Sequence, residues 1–451
     1  MKQYIFSILA VFLLSNVSAQ IELGTHFMTN ITQHNLTNPA TFSDYKINVS
    51  LPSIYAGFYN SSLAPDDVLE KRGTTHFLDV NGLINQVGAD GLSFQTNVNV
   101  ETFAFSFQAK KWQVSLNHGV RVSTFHHIPK EMLEFAWGGN AQFVGKTINI
   151  APMQNITAYQ EFGLGFGYKI GAHLTLGTRL KYLIGTATYS TSNSKANIYT
   201  DPEYYQFSAE TDYLINTGGL PEADVANGEF LNLENFEPNL FGSNKGFALD
   251  FGASLDLTEK LNIQTSILNI GKITWKDEVN NYWSKGSFTF EGLDFQPILS
   301  EGKLDLKQIT DTLASTFNFE TTKNTFSTVL PSSFYLSGSY QLQPSLTVGG
   351  LFFAQGFQSD MTTAVAVNVK KDFGTTFSLG GQYAFVEGGV HNFGLSTTLK
   401  LGPVQLFATS DNVIPLVHPL KAQNVNIRFG MNLVFGKITK EQKVEENDAS
   451  Q

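Results

Sequence analysis

From Gly246 to Leu257 the chain alternates with a period of two. Phe247, Leu249, Phe251, Ala253, Leu255 and Leu257 fall on one face, and Ala248, Asp250, Gly252, Ser254 and Asp256 on the other. That period is the pleat of a β-strand. A strand with one apolar face and carboxylates on the other fits a wall between lipid and a wet lumen, as in a transmembrane barrel. The pattern recurs and predicts strands near 45–58, 97–109, 112–125, 156–170, 173–187, 246–257, 261–272, 333–342, 345–356, 361–370, 375–386, 391–401, 404–412 and 423–436. The expected fold is therefore all-β, an antiparallel transmembrane β-barrel of about fourteen strands, an even number as in bacterial single-chain barrels.

The connections sort into two kinds. Lys110-Lys111, Gly171-Ala172, Thr258-Glu259-Lys260, Gln343-Pro344, Lys371 to Gly374 and Gly402-Pro403 are short, whereas 59–96, 126–155, 188–245 and 273–332 are long. Short turns belong to the periplasmic side and long loops to the exterior, so both termini are expected in the periplasm. Inside the long loops the apolar period lengthens. Phe77, Val80, Leu83, Ile84 and Val87 recur at helical spacing, as do Leu306, Ile309, Leu313 and Phe317, which predicts short amphipathic helices over the barrel. Pro129 followed by Met132, Leu133 and Phe135 predicts a third, and Ile198 to Ile215 reads as a hairpin above the membrane.

Lys2, the apolar run Ile5 to Leu14 and the small-residue site Val17-Ser18-Ala19 read as an export signal over 1–19, too short to span a bilayer. Residues 20–44 then form an N-terminal plug segment, 45–436 the barrel, and the charged stretch 437–451 a disordered periplasmic tail. Charged residues are 15% of the chain, well under the roughly 25% of soluble domains. The absence of cysteine excludes a disulfide framework, a thiol nucleophile and thiolate metal sites. A net charge of −10 without basic clusters excludes nucleic acid as a partner.

Ahead of the first strand stands Asn35-Leu36-Thr37-Asn38-Pro39-Ala40. An Asn-Pro-Ala near the mature N-terminus resembles the FadL-like superfamily of outer-membrane barrels, including PorV-type proteins. A Bacteroidota-type branch of that superfamily is similar through Gly177 to Gly185, Gly246 to Gly252, Gly271 to Trp275, Leu330-Pro331 and Ser410-Asp411-Asn412. The resemblance implies fourteen strands, an N-terminal segment entering the lumen through Asn38, Pro39 and Ala40, and the outer membrane of a Gram-negative bacterium. It implies one of two functions: FadL-like passive transport of a small or hydrophobic molecule, or a non-catalytic structural or adaptor subunit of an outer-membrane secretion or assembly complex. The expected partners are outer-membrane lipid and either such a molecule or other outer-membrane or periplasmic proteins.

The alternation turns Arg121, Glu161, Lys169, Arg179, Lys181, Asp250, Asp256 and Arg428 toward the lumen. Such groups either select solutes at a constriction or pair with one another and with the N-terminal segment. Glu101 shares its face with Phe103, Phe105 and Phe107 and reads as a rim residue. A hydrophobic site would need the apolar positions Phe77, Leu83, Ile84 and Val87 together with the helix around Leu313, which equally serve to pack on each other. His126 and His127 are adjacent and face opposite ways on a strand, so with Glu131 and Glu134 they make no convergent metal set. Asp79-Val80-Asn81-Gly82 begins like a calcium loop, but Asp90 stands where the glutamate belongs. Gly163, Gly165 and Gly167 lack phosphate-loop spacing and instead leave room for a plug or an opposing side chain. His118 and Ser115 share a strand but not a face, and no catalytic set emerges, so neither an enzyme nor a cofactor is expected.

Overall fold

The computed structural model describes residues 22–438, apart from 62, 73–74, 205, 226–230, 232, 234–235, 291–318, 358–359, 387–389 and 419–422. Fourteen strands form the wall: β1 (Tyr45–Ser50 and Ser53–Asn60), β2 (Leu92–Ala109), β3 (Trp112–Ile128), β4 (Met153–Ile170), β5 (Leu174–Thr200), β6 (Lys245–Asp256), β7 (Leu261–Trp275), β8 (Phe326–Val329 and Ser332–Gln343), β9 (Leu346–Phe357), β10 (Asp360–Phe373), β11 (Phe377–Val386), β12 (Val390–Leu401), β13 (Val404–Ser410) and β14 (Asn424–Lys437). Each pairs antiparallel with the next, and β14 returns to β1 with Tyr45 opposite Lys437 and Ile54 opposite Phe429. Closure leaves no sheet edge, which is what permits strands to cross a bilayer. Pro52 and Pro331, which have no N–H to give, fall at the interruptions of β1 and β8.

The two faces of the wall differ as the alternation requires. On β6, Phe247 is 61% exposed, whereas Asp250 is fully buried. The outward row from Phe247 to Leu257 advances ten residues, which at ~3.3 Å per residue and a ~40° tilt climbs ~25 Å, the height of the apolar band of an outer-membrane barrel. Trp112, Tyr168 and Tyr340 are exposed near the short-turn end, where an aromatic girdle meets the membrane interface. The protein is an outer-membrane β-barrel.

Bulges interrupt the alternation and reverse which parity points inward, among them one each on β2, β5 and β7. Glu101 pairs with Gly119 and Phe103 with His118, leaving Thr102 as the extra residue of β2. On β5, Thr186 is the extra residue between Gly185 and Ala187. On β7, Leu268 and Asn269 together oppose Asp250, and Asn269 takes a φ of +63° that asparagine tolerates better than most residues.

Beyond the long-loop end β5 continues as a free-standing ribbon. Its last part pairs with Phe207–Gly218, which pairs in turn with Asn280–Phe290, and Thr147–Asn149 adds to the far side of β5. The predicted hairpin belongs to this sheet. Its core gathers Phe135, Phe143, Ile148, Ile198 and Ala209. Phe135 comes from the helix Lys130–Gly138, which follows Pro129. A second helix, Val80–Gln86, is capped by Asp79, whose carboxylate accepts the Gly82 N–H at 2.9 Å. The calcium-like tetrapeptide is thus a helix start. Phe77 departs from the helical reading, because Thr75–Leu78 pairs as a strand with Leu69–Arg72. The predicted export signal at 1–19, the helix around Leu306 to Phe317, and the tail from 439 onward lie outside the described residues.

Arginine at a lipid-facing midplane position costs ~2–4 kcal/mol. Phe251→Arg, near the middle of the outward row, should therefore lower refolding stability by about that amount, and Phe251→Leu should leave it near wild type; denaturant titration in lipid vesicles reads both.

Candidate functional site

Residues 22–44 run inside the barrel wall. They include a short helix, Gly24–Phe27, and a 3-10 turn, Thr32–Leu36, and their side chains are largely buried. The turn Asn38-Pro39-Ala40 rests on a floor without side chains. Gly167 of β4, Gly177 of β5 and Gly252 of β6 stand opposite one another across three strands. A methyl group on Gly177 would overlap the Pro39 carbonyl, one on Gly252 the Asn38 side chain, and one on Gly167 the Phe42 ring. Gly165 makes room for Ser115, and Gly163 for Asn117 and Arg179. Asn38 donates to the Ala253 carbonyl at 3.2 Å and accepts the Ala40 N–H at 2.9 Å, while Ser266 donates to the Thr37 carbonyl at 2.6 Å.

One inward wall is charged. Arg179 reaches Asp250 at 3.2 Å and donates to the Asn35 carbonyl at 2.6 Å. Lys181 lies 3.0 Å from Asp250 and 3.5 Å from Glu161, and Glu161 lies 3.5 Å from Arg121. Arg121 continues to Glu101 at 3.7 Å, Glu101 to Arg428 at 3.1 Å, and Arg428 to Glu22 of the N-terminal segment. The Asn269 N–H donates to Asp250 at 2.7 Å, and the Asn269 side chain accepts from Lys181 at 2.6 Å, so the β7 bulge completes the acid's shell. Four acids and four bases balance across this chain of contacts.

Of the sequence-predicted residues, Arg121, Glu161, Arg179, Lys181, Asp250 and Arg428 come together here. Lys169 and Asp256 do not. Lys169 is half-exposed with its ammonium 4.9 Å from the Phe42 ring centre, and Asp256 is exposed at the short-turn rim, accepting from Asn262 at 2.7 Å. Glu101 is only 1% exposed and sits between two arginines, contrary to its reading as a rim residue. The bulge at Thr102 is the cause, because it separates the face of Glu101 from that of Phe103, Phe105 and Phe107.

Asp411 is the other anchor. It follows β13 and accepts the N–H groups of Leu23 at 3.0 Å and Gly24 at 2.5 Å, with Asn426 and Gln382 donating at 2.8 and 3.1 Å. Burial pushes its carboxyl up to about 6 in spite of these donors. Gln33 and Asn432 exchange amide hydrogen bonds, both at 2.9 Å. The His26 ring bonds Thr37 at 3.0 Å and Ser337 at 2.7 Å, and burial lowers it well below the usual histidine value, keeping it neutral. Ser410-Asp411-Asn412 had marked Asp411 in the sequence, whereas Glu22 and Gln33 carry no local signal.

Part of the opposite wall is apolar. Leu351, Phe353, Ala364, Ala366, Ala384 and Val386 of β9 to β11 join Leu268 and Tyr335, and from the N-terminal segment Leu23 and Phe27 pack against them.

The chain belongs to a family of unknown function, DUF5723, whose model matches residues 39–411. A search of curated proteins finds no match. Among solved structures it is similar to the TodX deltaS2S3 mutant monoaromatic hydrocarbon channel, with 9% identity, 90% of this chain and 95% of that one covered, and a TM-score of 0.45. The Ralstonia pickettii toluene transporter TbuX gives 8%, 89%, 92% and 0.42 for the same measures. A Pseudomonas aeruginosa FadL homologue gives 10%, 91%, 95% and 0.43. Likeness at these scores carries no argument about activity; the fold rests on the strand pairing itself.

Breaking a buried ion pair from one side costs ~3–5 kcal/mol. Arg428→Met strands Glu22 and leaves Glu101 with Arg121 alone, so it should destabilise the refolded barrel by about that much, while adding Glu101→Gln should restore part of it. Gly177→Val should leave the barrel folded but expel Asn38-Pro39-Ala40, seen as faster proteolysis of residues 22–44.

Proposed function

We propose that this DUF5723 protein is an outer-membrane channel for the passive passage of a small hydrophobic molecule, and that residues 22–44 act as its luminal plug. The observation that carries this reading is the divided lumen. A water-filled pore has no use for an inner wall of Leu351, Phe353, Ala364, Ala366, Ala384 and Val386, whereas a hydrophobic solute gains ~25 cal/mol for each Å² of apolar surface it buries. That wall is covered by Leu23 and Phe27, the part of the plug farthest in sequence from the glycine floor. Displacing Leu23 to Phe27 while Asn35 to Phe42 stay seated would uncover an apolar track, and no energy source is required.

The runner-up is an adaptor subunit with a permanently filled lumen. The sheet above the long-loop end, with its own core of Phe135, Phe143, Ile148 and Ile198, favours it. On either reading the short-turn end faces the periplasm, so an epitope inserted at Glu203 should be reached by antibody on intact cells and one at Glu259 should not.

Entry of the hydrophobic dye N-phenylnaphthylamine into cells making the protein separates the two. A channel should raise entry above that of cells lacking the protein, and Ala366→Trp in a correctly folded barrel should return it to that background. Entry unaffected by both the protein and Ala366→Trp would leave the adaptor.

A further inference from the structure

We propose that the outer surface of β6 and β7 at the long-loop end seats the phosphorylated headgroup of a membrane lipid, held by Lys245 and Lys272. Both lysines are exposed on the lipid-facing side of the wall. Lys245 continues the outward row of Phe247, Leu249 and Phe251, and Lys272 stands opposite Phe247. Because Lys245 itself faces Thr274, the two lysines are diagonal neighbours, about 7–8 Å apart at the backbone, a span that one phosphate group can bridge.

Their height identifies the ligand. The apolar row of β6 rises ~25 Å from Leu257 to Phe247, so Lys272 stands at its upper edge and Lys245 one step beyond, where the hydrocarbon ends and the headgroups start. No ion pair or side-chain hydrogen bond joins either lysine to another group among the described residues. Cations left without a carboxylate at a headgroup layer are complementary to lipid phosphate.

An apolar contact completes the seat. Gln160, Ile184 and Lys245 form one cross-strand row over β4, β5 and β6. The chain before Lys245 is pinned outside this row: Gln160 donates to the Leu240 carbonyl at 2.7 Å, and the Gly185 N–H to the Asn244 carbonyl at 2.8 Å. Between those two anchors Phe241 is 85% exposed. An exposed phenyl ring four residues before Lys245 gives an acyl chain an apolar partner close to the phosphate seat. The site is independent of what crosses the lumen. The reading of the long-loop end as the cell exterior decides only which leaflet supplies the lipid.

Native mass spectrometry of the full chain in detergent tests the site, with dioleoyl phosphatidic acid as the probe, dioleoyl phosphatidylcholine as the matched zwitterion and inorganic phosphate as the competitor. The wild type should retain phosphatidic acid over phosphatidylcholine, and Lys245→Gln with Lys272→Gln should weaken phosphatidic acid about fivefold for each lysine removed. Lys260→Gln, at the short-turn end, should change nothing. Heat-modifiable migration on electrophoresis verifies folding, and should the double variant fail to fold, the two single variants are read instead. Equal retention of the two lipids by the wild type, or variants that hold phosphatidic acid as the wild type does, would overturn the proposal. So would loss of the lipid to inorganic phosphate in large excess, which would make this a plain anion site.

Discussion

Charge neutrality inside a closed wall governs the interior of this protein. An inward-facing charge in a filled lumen has little water to turn to, and leaving it unmatched costs several kcal/mol. The chain answers with acids and bases alternating from strand to strand, Asp250 to Lys181 to Glu161 to Arg121 to Glu101 to Arg428. The last link is supplied by Glu22, which belongs to no strand. The N-terminal segment is therefore a member of the electrostatic balance of the wall as well as an object lying within it, and its position and the wall's stability are set together.

The second constraint is space. Side chains normally fill a barrel interior from both sides, yet along the row Gly167, Gly177 and Gly252 the wall contributes backbone alone. The rigid turn of Pro39 fills what the missing side chains would have occupied. Polar backbone of the segment is met by Arg179, Ser266 and Gln113. Across from this polar seat Leu23 and Phe27 pack on the apolar patch of β9 to β11, while Thr29 and Asn30 meet Lys370 and Ser378 beside it.

Much of the wall was legible because period-two alternation and connection length are local properties. The strands expected at 261–272 and 375–386 appear as Leu261–Trp275 and Phe377–Val386. Alternation fails where a bulge inserts one residue, and it fails silently: nothing in the sequence around Thr102 distinguishes an in-register pair from a bulge, so Glu101 was assigned to the wrong face. The ends of the long strands were also hidden, since β5 runs through Thr200 after leaving the membrane, where water on both sides erases the apolar face that marks a strand. Arg179, Lys181 and Asp250 could be placed as neighbours from their strands alone. The contribution of Glu22 could not, because it rests on a contact between residues 406 positions apart.

That separation bears on how the barrel is made. The segment precedes β1 in the chain, and the groups that hold its first half include some from the far end: Asp411 after β13, and Asn432 and Arg428 in β14. These contacts of residues 22 to 33 therefore form only once β13 and β14 are in place. A chain that stalls with β14 unpaired has nowhere to put residues 22 to 33. Occupation of the lumen thereby becomes a check on assembly, in which the segment ahead of β1 is fully secured only when the final strand is in place.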